Sequence, residues 1–347
     1  MPLPGGRGET TGGKEGKTMK IILDAMGGDN APKEILLGAQ QAVRELGVEI
    51  AAVGDSVKID ACVKENSIDM TGITVVQAGE VIEMEDDPTK AIRHKKDSSM
   101  VVALRMLANG EGDALVSAGS TGALLTGATL IVKRLNGVKR AAIGTVIPGK
   151  EKAWLLLDSG ANVECPADML NCFATMGSVY MEKTMGSKTP SVALVNNGAE
   201  ESKGTEIYVA AHQLMKQNPA IQFAGNIEPR DIPRGEVDVV VCDGFTGNVI
   251  LKLTEGWAKF FSGELKALFK KNVGTMLAAL LVKGGIASFK AKLDADEYGG
   301  APLLGVNGVV IKAHGSSNAK AIKNAVRQAK ACCENGMVEA IRENIQR

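Results

Sequence analysis

The residues with chemical potential are small polar ones that interrupt apolar runs. In 114–125, ALVSAGSTGALL, an apolar run ends at Ser117 and passes through Gly119, Ser120, Thr121 and Gly122 before apolar residues resume. That order predicts a buried strand turning into a helix. The first N–H groups of a helix have no partner within it and point at whatever lies in front, so such a turn can seat an anion. Ordinary helix capping by Ser and Thr is the competing reading. Neither this turn nor DAMGGDN at 24–30 has the Gly-x-x-x-x-Gly-Lys-Ser/Thr or Gly-x-Gly-x-x-Gly spacing that cradles nucleotide phosphates. A single phosphate suits the short Ser-Thr-Gly turn better than ATP or NAD.

The chain has three histidines. His314 ends an apolar strand directly before Gly315-Ser316-Ser317-Asn318, a second helix-start turn, and its type fits either a catalytic or a structural role. His212, in YVAAHQLMK, is expected on a helix surface, and His94, in RHKKDSS, on a solvated charged face. There is no His-Glu-x-x-His, no paired Cys-x-x-Cys and no Gly-x-Ser-x-Gly. A non-covalent displacement is therefore expected, with no metal and no cofactor.

These residues need a frame. KIILD, EIAAVG, ITVVQA, DALVSAG, AAIGTVI, AWLLLDSG, SVALVNNG, IQFAGN, VDVVVCDG and GVVIKAHG read as strands, most of them separated by helical stretches. Continuous apolar strands predict burial on both faces, hence an α/β fold in which a mainly parallel sheet lies between helices in three layers. Most runs end in Gly with small polar or acidic residues: Asp24 to Asn30, Ser117 to Gly122, Asp158 to Asn162, Asp243 to Asn248, His314 to Asn318. In a parallel sheet those carboxyl ends share one rim, so a single polar cleft is expected.

Lys plus Arg and Asp plus Glu number 40 each, so no overall field draws nucleic acid. Residues 1–18 read as a flexible extension and 19–347 as one domain. No run of about 18 apolar residues occurs. At 265–292, however, Val273, Met276, Leu277, Leu280 and Leu281 recur at helical spacing among lysines. Gly284-Gly285 would break the run, which makes a basic amphipathic hairpin suited to a membrane interface, a dimer interface or the core.

ILDAMGGDNAP, AIRHKKDSSM, SAGSTGA, DSGANVEC, GNIEPRDI, VCDGFTGNVILK and YGGAPLLGVNGVVIKAHGSSN together resemble the bacterial phosphate acyltransferases of phospholipid synthesis, from Met19 to near the C-terminus; Pro229 stands where the family motif has Gly. The resemblance implies transfer of a fatty acyl group from acyl carrier protein to inorganic phosphate. It also implies a homodimer with the fold of the isocitrate and isopropylmalate dehydrogenases and phosphotransacetylases. The protein would work at the cytoplasmic face of an anionic membrane and hand acyl phosphate to a membrane glycerol-phosphate acyltransferase. A phosphotransacetylase using acyl-coenzyme A is the alternative. On this reading Ser117, Gly119, Ser120, Thr121 and Gly122 hold phosphate. Asn162, Asn248 or His314 donates to the thioester oxygen, Asp24 and Asp243 orient donors, and Arg93 and Lys96 meet phosphate charge or the acidic carrier.

Overall fold

A computed structural model describes residues 18–292 and 299–346, with backbone alone for 287–292. Apart from Thr18, the expected N-terminal extension lies outside the described residues, as do the side chains of Phe289, Lys290 and Lys292. The first half runs β1 (Lys20–Asp24), α1 (Lys33–Leu46), β2 (Glu49–Gly54), α2 (Ser56–Asn66), β3 (Ile73–Gln77), α3 (Pro88–His94), α4 (Ser99–Ala108) and β4 (Ala114–Ser117). Then come α5 (Thr121–Gly127), continued by a π-helical turn at Ala128–Val132, β5 (Ala142–Ile147), β6 (Trp154–Leu157), α6 (Ala167–Lys183) and β7 (Ser191–Val195). The chain goes on through α7 (Glu206–Gln217), β8 (Gln222–Ile227), β9 (Val239–Val241), α8 (Gly244–Phe269) and α9 (Val273–Lys292). It closes with β10 (Ala301–Leu304), β11 (Val309–Lys312), α10 (Ala319–Glu334) and α11 (Met337–Ile345).

The strands form one sheet in the order β3-β2-β1-β4-β11-β10-β5-β6-β9-β7-β8. Alternate residues feed opposite faces. Ile21 and Leu23 of β1 pack with Leu36 and Ala39 of α1 and Ile322 and Val326 of α10. Ile22 faces the other way, with Val101 and Leu104 of α4 and Leu124 of α5. Further along, Leu155 and Leu157 meet Phe173 and Tyr180 of α6, while Trp154 and Leu156 lie with Ile250 and Leu251 of α8. Helices on both faces thus keep the sheet dry; each fully buried Leu, Ile or Phe contributes about 1.5–3 kcal/mol.

Strand direction corrects the single rim. β2, β3, β4 and β11 run parallel to β1 or to its neighbours. β10 is antiparallel to β11, β5 to β10, and β6 to β5. β9, β7 and β8 then follow β6 in parallel. The carboxyl ends of β1, β4 and β11 therefore lie on one edge of the sheet, and those of β6, β7, β8 and β9 on the other. Two short connections reverse the chain, residues 148–153 between β5 and β6 and 305–308 between β10 and β11; β10 is antiparallel to both neighbours, so the division between edges is made at β5–β6. Links that short join antiparallel neighbours, because a parallel crossover needs a dozen or more residues.

The other correction concerns the hairpin. α9 continues through Gly284-Gly285, and the break between the two helices falls at 270–272. There the Asn272 side chain accepts the Thr275 N–H at 2.9 Å, while the Thr275 hydroxyl accepts the Asn272 N–H at 3.1 Å. This reciprocal cap starts α9. Two glycines inside a helix disfavour it by only about 1 kcal/mol each relative to Ala, which does not by itself end it.

Candidate active site

At the carboxyl end of β4 the chain turns through Ser117 to Ser120, all buried, and emerges at exposed Thr121. The Ser117 hydroxyl donates to Asp24 Oδ2 at 2.7 Å and accepts the Gly119 N–H at 3.1 Å. Two of the groups expected to face an anion, the Ser117 hydroxyl and the Gly119 N–H, thus point into the turn itself. Ser120 caps α5, its hydroxyl accepting the Ala123 N–H at a long 3.5 Å. The N–H groups of Thr121 and Gly122 form no hydrogen bond among the described residues, and they are the open donors of this helix start.

Asp24 ends β1 and is buried. Burial raises its carboxyl above the ordinary range, against the pull of the Ser99 and Ser117 hydroxyls, the Met26 N–H and the Lys312 ammonium. Gly27 allows this close packing: a Cβ there would sit 2.5 Å from Asp24 Oδ2 and 2.7 Å from the Gly119 nitrogen. Lys312, at the end of β11 and in register with Ser117, is buried too. Its ammonium donates to the Ala118 carbonyl at 3.3 Å and also to the Ala313 carbonyl. Burial lowers it to about 8, against the attraction of Asp24 and Asp29.

The loop after β11 closes the same edge. Gly315 accepts the Asp29 N–H at 2.8 Å, and the Asn30 side chain donates to the Ser316 carbonyl at 3.2 Å and the Ser317 carbonyl at 3.3 Å. His314 is exposed there, its Nδ1 2.9 Å from the Ser316 hydroxyl and 3.3 Å from the Ser316 nitrogen. A backbone N–H can only donate, so Nδ1 accepts, and in the neutral ring the proton sits on outward Nε2. α3 packs beside α5: a Cβ on Gly122 would lie 2.8 Å from Pro88 Cγ. Arg93, in the last turn of α3, and Lys96 just after it are exposed. Asp24, the 117–122 turn and His314 are therefore brought to one edge, with Arg93 and Lys96 on the neighbouring segment.

Asn162, Asp243 and Asn248 are not. They stand at the ends of β6 and β9, on the opposite edge of this chain's sheet. Asp158 organises that corner by accepting the N–H groups of Ile143, Gly160, Ala161 and Asn162 at 2.8–3.2 Å. Burial nevertheless raises its carboxyl, in opposition to those donors and the Asn162 side chain. Both amide hydrogens of Asn162 are committed, to Asp158 Oδ2 and to the Ala141 carbonyl, each at 2.8 Å. Asn162 thus has no donor left for a substrate oxygen. Asp243 caps α8 through the Thr246 N–H at 2.8 Å and accepts the Tyr208 hydroxyl at 2.5 Å. Asn248 is exposed on the first turns of α8.

His212 differs from its expected surface position. It is buried, with Nδ1 2.9 Å from Asn226 Oδ1 and its ring edge-on to Phe223.

Comparison with known proteins bears on this site. Residues 19–340 match the family described as fatty acid synthesis protein. A phosphate acyltransferase of Alkaliphilus oremlandii is 49% identical over 327 residues, which are 94% of this chain and 97% of that one. One from Desulforamulus reducens is 49% identical over 333 residues, 94% of this chain and 98% of that one. The chain belongs to the phosphate acyltransferase family. A phosphotransacetylase structure from Streptococcus pyogenes superposes with a TM-score of 0.61 at 17% identity, covering 92% of this chain and 95% of that one. Another, from Staphylococcus aureus, gives 0.59 at 17% identity over 90% and 94%. At such identities the likeness is one of fold.

For a member of this family, the β1–β4–β11 edge offers open backbone donors at the start of α5, an internal ammonium behind them and an imidazole beside them. Lys312 is the buried cation of this edge, and the motifs do not single it out. Its sequence signal was a lysine closing the apolar run GVVIK, which a solvated strand end shows as well. Asp158 carried a weaker signal, as the acidic end of WLLLD.

Proposed function

We propose that this protein transfers a fatty acyl group from acyl carrier protein to inorganic phosphate, yielding acyl phosphate and the free carrier thiol. The observation that carries the reading is the Ser117–Gly122 turn, with the Thr121 and Gly122 N–H groups open and Lys312 behind them, in a chain of the phosphate acyltransferase family. Phosphate is already nucleophilic at neutral pH, so the protein's task is desolvation, placement and oxyanion stabilisation. Phosphate held by Thr121, Gly122 and Ser120 attacks the thioester carbonyl; a C–O bond forms, the C–S bond breaks and the thiolate takes a proton. His314, exposed on the same edge with Nε2 free, donates to the developing oxyanion. Ser117, Gly119 and Asp24 set the turn from inside. Arg93 and Lys96 meet the acidic carrier or the incoming phosphate. Asn248 and Asp243 belong to the far edge, where they contribute to this site only if a partner subunit brings them there.

The reading extends to a homodimer of the isocitrate and isopropylmalate dehydrogenase type, working on the cytoplasmic membrane face and supplying a glycerol-phosphate acyltransferase. The apolar exposed side of α8 and α9 supports a surface role: Trp257, Phe260, Leu277 and Leu280 are all more than half exposed. No helix among the described residues is long and apolar enough to cross a membrane.

Incubation with acyl carrier protein thioester and phosphate tests the reaction directly. Acyl phosphate should appear, and carrier thiol should be released only when phosphate is present. Thiol release independent of phosphate refutes the reading. The phosphotransacetylase likeness favours a second reading with acyl-coenzyme A as donor, and a higher kcat/KM for that thioester than for the carrier-bound one would select it.

A further inference from the structure

We propose that Lys312 is a positioning residue for phosphate: its buried ammonium fixes the turn from behind, so that the Thr121 and Gly122 N–H groups are held toward the anion. This rests on the reading of the turn as a phosphate seat. The geometry is specific. The peptide between Ala118 and Gly119 is gripped at both ends, its carbonyl by Lys312 at 3.3 Å and its N–H by the Ser117 hydroxyl at 3.1 Å. That hydroxyl is in turn fixed by Asp24 at 2.7 Å. Lys312 also holds the Ala313 carbonyl, at the root of the His314 loop. One ammonium therefore ties together the two turns that flank the seat.

Packing alone gives no reason for a lysine here. Burying an ammonium is unfavourable unless it is fully bonded, and a methionine fills a similar volume without that penalty. Lys312 has two carbonyls and, among the described residues, no carboxylate at ion-pair distance. An incompletely neutralised interior cation behind a helix start acts with the open N–H groups on any anion in front of them, and weak screening in the interior lengthens its reach. Asp24 and Asp29 temper this charge without contacting it.

Kinetics with phosphate as the varied substrate test the role, using wild type, Lys312→Met and Lys312→Arg at saturating acyl donor. Loss of a charged hydrogen-bond anchor should raise the phosphate KM of Lys312→Met about tenfold or more. The KM for the acyl donor should stay unchanged, and Lys312→Arg should recover part of the phosphate affinity. A folded Lys312→Met with wild-type phosphate KM overturns the inference, as does an equal rise in both KM values. If thermal melting shows Lys312→Met to be unfolded, Lys312→Gln, which keeps a neutral donor, replaces it with the same expected and overturning results. Wild-type turnover that ignores phosphate refutes the seat itself; phosphate-dependent turnover with an indifferent Lys312→Met refutes only this inference.

Discussion

The Ser117 hydroxyl is a relay between Asp24 and Gly119: it donates to the carboxylate at 2.7 Å and accepts the N–H at 3.1 Å. Both partners are buried, so neither finds water if the hydroxyl is removed. Ser117→Ala should therefore lower the unfolding free energy by about 1–3 kcal/mol, as a lost bond to a buried charged group does. It should also raise the phosphate KM, because the Ala118–Gly119 peptide is then held only at the Ala118 carbonyl. Urea midpoints and phosphate kinetics check the two effects, and a variant unchanged in both would remove the hydroxyl from stability and binding alike.

Ser120→Ala combined with Thr121→Ala separates capping from anion binding. The Ser120 cap bond is long, at 3.5 Å, so the stability loss should sit at the low end of cap effects, about 0.5 kcal/mol. If the two hydroxyls help to hold phosphate as proposed, the phosphate KM should rise several-fold, with kcat at saturating phosphate little changed. If KM is unmoved, the backbone N–H groups alone hold the anion.

The two edges of the sheet make opposite forecasts for two expected donors. Asn162 has both amide hydrogens committed inside the Asp158 corner, so Asn162→Ala should destabilise by about 1–3 kcal/mol and leave the phosphate KM alone. His314 has Nε2 free on the β4 edge. His314→Asn should fold normally and lose kcat by about 10²-fold, the scale for one oxyanion donor. A large kcat loss in Asn162→Ala, or none in His314→Asn, would reverse these assignments.

These cases show what could be read in advance. The Ser117–Gly122 turn was legible because a strand–turn–helix pattern is local and its residue types have fixed roles. So were ten strands, since continuous apolar runs are a local signal too. β10 was hidden, because APLL is short and contains Pro302, a residue that argues against a strand interior. Missing it concealed two reversals of direction that cancel; the division of the polar loops between two edges comes from the antiparallel β5–β6 pair, whose strands were both legible. The length of 148–153 held that information, but strand direction is a property of pairs and no single run displays it. The burial of His212 was hidden for a similar reason: it lies on α7 and depends on Asn226 and Phe223 of β8. Lys312 was visible as a residue, and only burial distinguishes it from a solvated strand end.

Lys312 sits at about 8, lowered by burial from 10.5. As pH rises through about 8 the folded protein loses this ammonium, so the phosphate KM should climb in that window. Asp24 and Asp29 are the charged groups acting on it, and the Ser117–Gly122 turn and β10 carry none. Stability should move the other way. Between about 8 and 10.5 the unfolded chain binds more protons at this site than the folded one, so stability rises with pH there. Lys312→Arg, which stays charged, should flatten both trends relative to wild type. That comparison also cancels the titration of phosphate itself.

The long pair α8 and α9 presents apolar residues outward in a regular stripe. Phe245, Val249, Leu253 and Trp257 recur at four-residue spacing, with Trp257 stacked on Phe261 at 5.4 Å between ring centroids, and Leu277 and Leu280 continue the exposed surface on α9. Lys266, Lys270, Lys271 and Lys283 lie among them. A helix pair of this composition gains by burying its apolar face in the headgroup boundary while lysines meet anionic lipid, and both contributions must fail together when acidic residues enter the face. Wild-type protein should float with vesicles rich in anionic lipid, less so at high salt, and little with neutral ones. Leu277→Glu with Leu280→Glu should abolish flotation without altering turnover of a soluble thioester. If the double variant instead sediments as a monomer while still binding vesicles, the stripe is the contact between two copies of the chain and the membrane assignment fails.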